Sequence, residues 1–157
     1  MNIALTHEFY LVPSTIDVQH FWMGIQNRPE IVDRVDIHDD IISLYISDTL
    51  KWIPSKNPTL RGTPRGAGIN YHGVTLFDEE SATILGNVFS FWKHLFENSP
   101  EVLKLTGEYM TIVDQIDSGH YEKLFLNRNE VLKQFDKIVT FANILSEGSF
   151  YLFHCGI

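Results

Sequence analysis

The chain is 157 residues long, 44% hydrophobic and 20% charged, which are the proportions and the size of one ordinary globular domain. Twenty acidic residues against twelve lysines and arginines leave a formal net charge of -8, and a field of that sign repels phosphate backbones, so general nucleic-acid binding is not expected. No apolar run approaches the ~18 residues that a membrane span requires, and the one cysteine, Cys155, allows neither an internal disulfide nor a multi-cysteine zinc site.

Taken in chain order, Glu8–Val12 reads as a short strand stopped by Pro13. Ser14 or Thr15 can then cap a helix with Asp17 in its first turn, where a carboxylate suits the helix dipole. Val18, Phe21, Trp22 and Ile25 fall on one face of that helix, and Pro29 ends it. From Ile42 to Ser47 apolar and polar residues alternate, the pattern of a half-buried strand, and Lys51-Trp52-Ile53 reads as a further short strand. Pro54 to Gly68 contains three prolines and three glycines, too many breakers for a regular element, so a long loop is expected. Strand character resumes over Ile69–Phe77.

Asp78 caps the strongest helix, whose stripe runs Ile84, Leu85, Val88, Phe89, Trp92, Leu95, Phe96 and closes at Asn98-Ser99-Pro100. Leu103–Val113 reads as a strand in which Gly107 marks a bulge. Asn127 and Glu130 resemble a capping box ahead of a helix with Val131, Phe135, Ile138, Val139, Ala142 and Leu145 on one side. Gly148 supplies its left-handed C-cap, and Phe150–His154 forms a last strand. The sum is one α+β domain over residues 1–157, a mixed β-sheet packed with two or three amphipathic helices.

Charge is unevenly placed. Arg28 to Asp48 holds six acids and two bases, whereas Thr49 to Phe77 holds four bases and no acid. The basic stretch coincides with the glycine- and proline-rich loop, so an anionic ligand could be steered to it. There Arg61 and Arg65 offer bidentate forks beside glycines that free backbone N–H groups. No Gly-Lys-Ser/Thr follows, and the segment feeds a strand rather than opening a helix, so neither nucleotide fingerprint is met. Asn70, Tyr71 and His72 follow directly, and Glu108 on a neighbouring strand could join them; His72 or Glu108 would move a proton. These six residues are the candidate ligand site. His38-Asp39-Asp40 has the ingredients of a metal site without a second histidine pair at ligand spacing, so a turn or cap is expected there and no metal. Cys155 and His154 are adjacent on a strand and point apart, a poor arrangement for a thiolate couple. Trp52, at the edge of the long loop, is the expected exposed aromatic, and exposed aromatics anchor interfaces.

Gly73-Val74-Thr75-Leu76-Phe77 leading into the Asp78 helix, then Leu105-Thr106-Gly107, then the ending Phe150–Ile157, give a pattern that resembles small acidic bacterial proteins of unassigned activity, some of them similar to immunity proteins of polymorphic toxin systems. The resemblance implies an inhibitor rather than an enzyme, and carries no functional residue over. The resulting expectation is a non-enzymatic, cytoplasmic bacterial binding protein that occludes a basic, toxin-like protein, with Asp36, Asp39, Asp40 and Trp52 on its binding face. It would need no cofactor, metal, membrane or nucleic acid. The alternatives are a binder or small enzyme for an anionic small molecule at the 54–73 loop, and a homo-oligomeric module.

Overall fold

The computed structural model describes residues 5–59 and 66–157. Its class is α+β, as expected, and every strand pairing is antiparallel. Six strands are present: β1 (Thr6–Pro13), β2 (Asp33–His38), β3 (Val74–Phe77), β4 (Val102–Ile112), β5 (Gln115–Asn127) and β6 (Phe150–Cys155). Four of them form a sheet of order β2-β1-β6-β3, and β4 and β5 form a separate hairpin. Helices α1 (Ser47–Leu50), α2 (Ala82–Glu97) and α3 (Arg128–Leu145) complete the elements used below.

The central strand β1 is buried on both faces, and its alternation assigns them. Phe9 and Leu11 join the core beneath α2 and α3, with Phe77 and Leu152 from the neighbouring strands. Tyr10 and Val12 face the other way, with Leu76 and Phe153, and are covered by Phe21 and Ile25. In the helical core Phe135 meets Phe89 edge to face at 5.3 Å and Phe96 at 5.8 Å, an arrangement that aligns ring edges with ring faces.

The two long helices lie where their apolar stripes place them. Asp78 caps the entry to α2: its carboxylate accepts from Glu80 N at 3.0 Å, and the Ser81 hydroxyl accepts from Asp78 N at 3.1 Å. Asn127 Oδ1 accepts from Glu130 N at 3.1 Å, and Gly148 takes a φ of 78° just past α3. The bulge expected at Gly107 is present: the register of β4 on β5 shifts between Thr106 and Tyr109.

Four local expectations are corrected. The strand expected over Ile69–Phe77 is confined to Val74–Phe77, because 70–73 close a turn through Gly73 N and Asn70 O. Residues 14–28 form turns and a single 3-10 turn, Ile25–Asn27, rather than a helix. The Asp17 side chain binds Gln19 N and His20 Nδ1, local bonds that compete with helix, and Gly24 at φ 70° breaks the run. Residues 41–46 form a π-helical turn leading into α1, not a strand. Ile42, Ile46 and Leu50 recur every four residues and all are buried, while Leu44, which strand alternation would bury, is 40% exposed. Lys51-Trp52-Ile53 continues as a turn, with Trp52 N and Ile53 N donating to Thr49 O and Leu50 O.

Removing the Phe135 ring empties the centre of the helical core, so Phe135→Ala is expected to cost about 3–5 kcal/mol of unfolding free energy in chemical denaturation.

Candidate functional site

Strand alternation directs His7 to the helix side of β1, two residues from Phe9, and His154 to the same side of β6, two residues from Leu152. Phe9 pairs with His154 across the two strands, so the imidazoles lie diagonally across one strand boundary. Both are fully buried. His7 Nδ1 lies 2.7 Å from His154 Nε2, with the ring planes 13° apart. Beyond β2, the turn 38–40 brings Asp39 over this end of the sheet, held by Asp39 N donating to Leu5 O at 2.9 Å. Asp39 Oδ1 lies 2.9 Å from His7 Nε2 and accepts the Tyr71 hydroxyl at 2.5 Å. On the far side, His154 Nδ1 lies 3.4 Å from Thr75 Oγ1, which accepts from Asn70 N at 2.7 Å.

With both imidazoles neutral, these contacts set the protons along the chain. Asp39 can only accept, so His7 carries its hydrogen on Nε2. His7 Nδ1 is then an acceptor and His154 must donate to it from Nε2. His154 Nδ1 in turn accepts from the Thr75 hydroxyl. A protonated His7 would reverse the bond to His154, but burial favours both imidazoles neutral. Burial lowers the pKa of His7, partly offset by its hydrogen bond to Asp39, and lowers that of His154 well below the ordinary value, with the neighbouring His7 adding to the effect. Tyr71 is pushed up to about 12, first by burial and then by its bond to Asp39, so it stays a donor.

Tyr71 is placed by glycine. Gly73 N donates to Asn70 O, closing a tight turn, and the chain end lies along it: Gly156 N donates to Gly73 O at 2.8 Å and Ile157 N to Tyr71 O at 3.1 Å. A Cβ on Gly156 would collide with the carbonyl of Tyr71, so only glycine lets β6 run this close to the turn.

Around this polar chain the acids gather. Asp40 adjoins Asp39, and the bulge in β4 sets Glu108 opposite Glu122 of β5, both within electrostatic reach of Asp40. Glu108 is also felt at Tyr71. Burial pushes the Asp40 carboxyl up; His38 opposes this, and Asp39, Glu122 and Glu108 reinforce it. Among the described residues no lysine or arginine pairs with Asp39, Asp40, Glu108 or Glu122; the basic side chains beside Asp39 and Asp40 are the imidazoles of His7 and His38.

The residues singled out from the sequence are thus partly regrouped. Tyr71 and Glu108, placed with an anionic ligand, stand beside Asp39 and Asp40, placed on a partner face. Asp36 lies apart, on the opposite face of the sheet, bonded to Arg34 at 2.7 Å. Trp52 is 67% exposed and no contact links it to Asp39 or Asp40. Asn70 contributes its backbone N–H, and His72 is exposed with Nδ1 3.2 Å from Ile157 O. Arg61 and Arg65 lie outside the described residues. His38 Nδ1 accepts from Asp40 N at 3.1 Å, the turn expected there. Burial pushes the Cys155 thiol up to about 12, far from a nucleophilic thiolate. His7 was not singled out at all; its signal was an inward position in the alternation His7, Phe9, Leu11. No protein family, curated protein or solved structure matches this chain.

Two predictions follow from the neutral histidines and their acceptor. In the unfolded chain both imidazoles take up protons below about pH 6.5, whereas the fold holds them neutral, so stability falls as pH drops through that value. Denaturation midpoints are expected to be level above about pH 7.5 and to fall toward about pH 5.5, each histidine contributing up to about 1.4 kcal/mol per pH unit. The raised Asp40 acts with the opposite sign, because it binds its proton more readily in the fold, so the readout belongs above the carboxyl range. A level profile throughout contradicts the proton assignment. Asp39→Ala leaves the buried His7 Nε2–H and the part-buried Tyr71 hydroxyl without an acceptor, and is expected to cost about 1–3 kcal/mol; Tyr71→Phe, which removes a donor and leaves the histidine bond intact, costs less.

Proposed function

We propose that this chain is a non-enzymatic bacterial binding protein of the immunity type, acting in the cytoplasm, and that it holds a basic, toxin-like protein against the acidic surface formed by Asp39, Asp40, Glu108 and Glu122. The observation that carries the reading is the convergence of these four carboxylates from three separate stretches of chain without a lysine or arginine paired to any of them among the described residues. Like charges brought together in this way repel one another, and a cationic partner relieves the repulsion. The overall charge of -8 works in the same direction at longer range, raising the association rate with a basic protein.

The neighbouring hairpin suits the same role. Tyr109 and Tyr121 meet edge to face at 5.1 Å and are each more than half exposed. Tyrosine pairs of this kind contribute large contact area with few rotatable bonds. The bulge at Gly107 matters here because an extra residue in one strand re-aims the side chains beside it, and it sets Glu108 against Glu122 at the foot of the tyrosine pair.

The test is association with the basic toxin-like product of the neighbouring gene, followed by calorimetry and stopped-flow kinetics. A one-to-one complex is expected, weakening at least about tenfold between about 50 and about 300 mM salt as the charges are screened. Asp40→Lys combined with Glu108→Lys is expected to slow association by about tenfold or more. No complex at micromolar concentration, or one indifferent to both salt and charge reversal, overturns the reading.

A further inference from the structure

The first half of β4 has a free edge. At Thr106 the backbone N–H and C=O both point away from β5, since both bond to the Tyr45 hydroxyl. In an antiparallel pair such outward residues alternate with those that bond the partner strand. The register runs unbroken from Val102 to Thr106, so Val102 and Lys104 also turn their N–H and C=O outward, while Leu103 and Leu105 pair with Leu126 and Leu124 of β5. Among the described residues nothing is bonded to these outward groups of Val102 and Lys104. Beside this edge, between the end of α2 and β4, lies an open groove of about 520 Å³. Its walls include Leu95, Phe96, Leu103 and Leu105, and Lys104 also lines it. Leu95 is 59% and Val102 48% exposed, so apolar surface continues out of the groove. Every other lysine of the chain but Lys123 holds a carboxylate, whereas among the described residues Lys104 and Lys123 hold none. These two are diagonal neighbours on the outer face of the hairpin, because Lys104 pairs with Phe125 and Thr106 with Lys123.

We propose that this edge and groove bind a short extended segment of a partner protein, reading apolar, acidic, apolar, which adds as a strand antiparallel to β4 over Val102 to Leu105. The proposal goes beyond the acidic-surface reading and does not rest on it. Three observations specify the occupant. The outward N–H and C=O groups of Val102 and Lys104 call for an extended backbone, whose own donors and acceptors recur at the same two-residue spacing. Side-chain alternation then sets the sequence. The residue opposite Lys104 lies on the outer face beside Lys104 and Lys123, where a carboxylate is favoured and a cation repelled. Its two neighbours lie on the inner face, opposite Leu103 and Leu105, where they enter the groove against Leu95 and Phe96 and bury apolar surface. Length comes third. Tyr45 already occupies Thr106 and the turn 98–100 lines the groove before Val102, so the template takes about four residues at ~3.4 Å each. A lysine on an edge strand also deters strands that bring no acid, so the residue that attracts this occupant excludes others.

The probes are three end-blocked pentapeptides: Thr-Val-Glu-Val-Thr, its relative with lysine in place of the glutamate, and one whose glutamate is N-methylated and cannot donate to Lys104 O. Calorimetry is combined with amide chemical shifts and hydrogen exchange of the labelled full-length protein. Saturable binding of the glutamate peptide is expected, with shifts and slowed exchange centred on Val102 and Lys104. The lysine peptide is expected to bind at least about fivefold more weakly. The N-methylated peptide is expected to bind about tenfold more weakly, because one backbone hydrogen bond is lost. In Lys104→Glu, a substitution at an exposed side chain, the preference for glutamate over lysine is expected to vanish or reverse. The proposal is overturned if the glutamate peptide does not saturate at millimolar concentration, or if its shifts map to β5 or to the acidic surface. It is also overturned if the lysine or the N-methylated peptide binds as well, or if the preference survives unchanged in Lys104→Glu. Should that variant not fold, the comparison of the three peptides on the unaltered protein decides the matter alone.

Discussion

A single acceptor atom, Asp39 Oδ1, sets the state of the polar interior. It takes a hydrogen from His7 and another from Tyr71, and with both imidazoles neutral the direction of each hydrogen bond down to Thr75 follows. The chain crosses β1, β6 and β3, so three strands of the sheet share one set of protons. Bonds aligned in this way polarise one another in a low-dielectric interior. The same low dielectric makes the arrangement intolerant, because removing any member strands its neighbour. The end of the sheet is therefore fixed by electrostatics, whereas its middle is fixed by the packing of Phe9, Phe89 and Phe135.

That division explains what was legible in the sequence. The helices α2 and α3 were read correctly because each has a long stripe of period 3.6 and a capping side chain, Asp78 or Asn127, before it. Gly107 and Gly148 were legible for backbone reasons that do not depend on distant contacts. The strand β2 is hard to see in the sequence because Asp33, Arg34 and Asp36 mask the inward alternation of Val35 and Ile37. Ile41–Ser47 was misread because a short apolar run satisfies both periods, and tertiary contact decided for the period that buries Ile42, Ile46 and Leu50 together. The turn region 14–28 was misread because the apolar residues were at helical spacing but Asp17 and Gly24 act locally against a helix.

The site was legible as ingredients and not as a place. Asp39, Asp40, Tyr71 and Glu108 each carry a polar signal in the sequence, and only the fold shows that they share one neighbourhood. Sequence distance hides this: the residues come from the end of β2, a turn before β3, and a bulge in β4. The result is a group of four carboxylates, Asp39 and Asp40 largely buried and Glu108 exposed, set beside a hydrogen-bonded chain of imidazoles.

Tyr45, in the π-helical turn, reaches across to β4, where its hydroxyl donates to Thr106 O and accepts from Thr106 N, both at 2.7 Å. At that residue the two outward-facing backbone groups of the strand are already occupied by a side chain. An approaching strand from another molecule would find its template interrupted there, so the hairpin can display its aromatic tip in solution without its edge seeding growth of an intermolecular sheet.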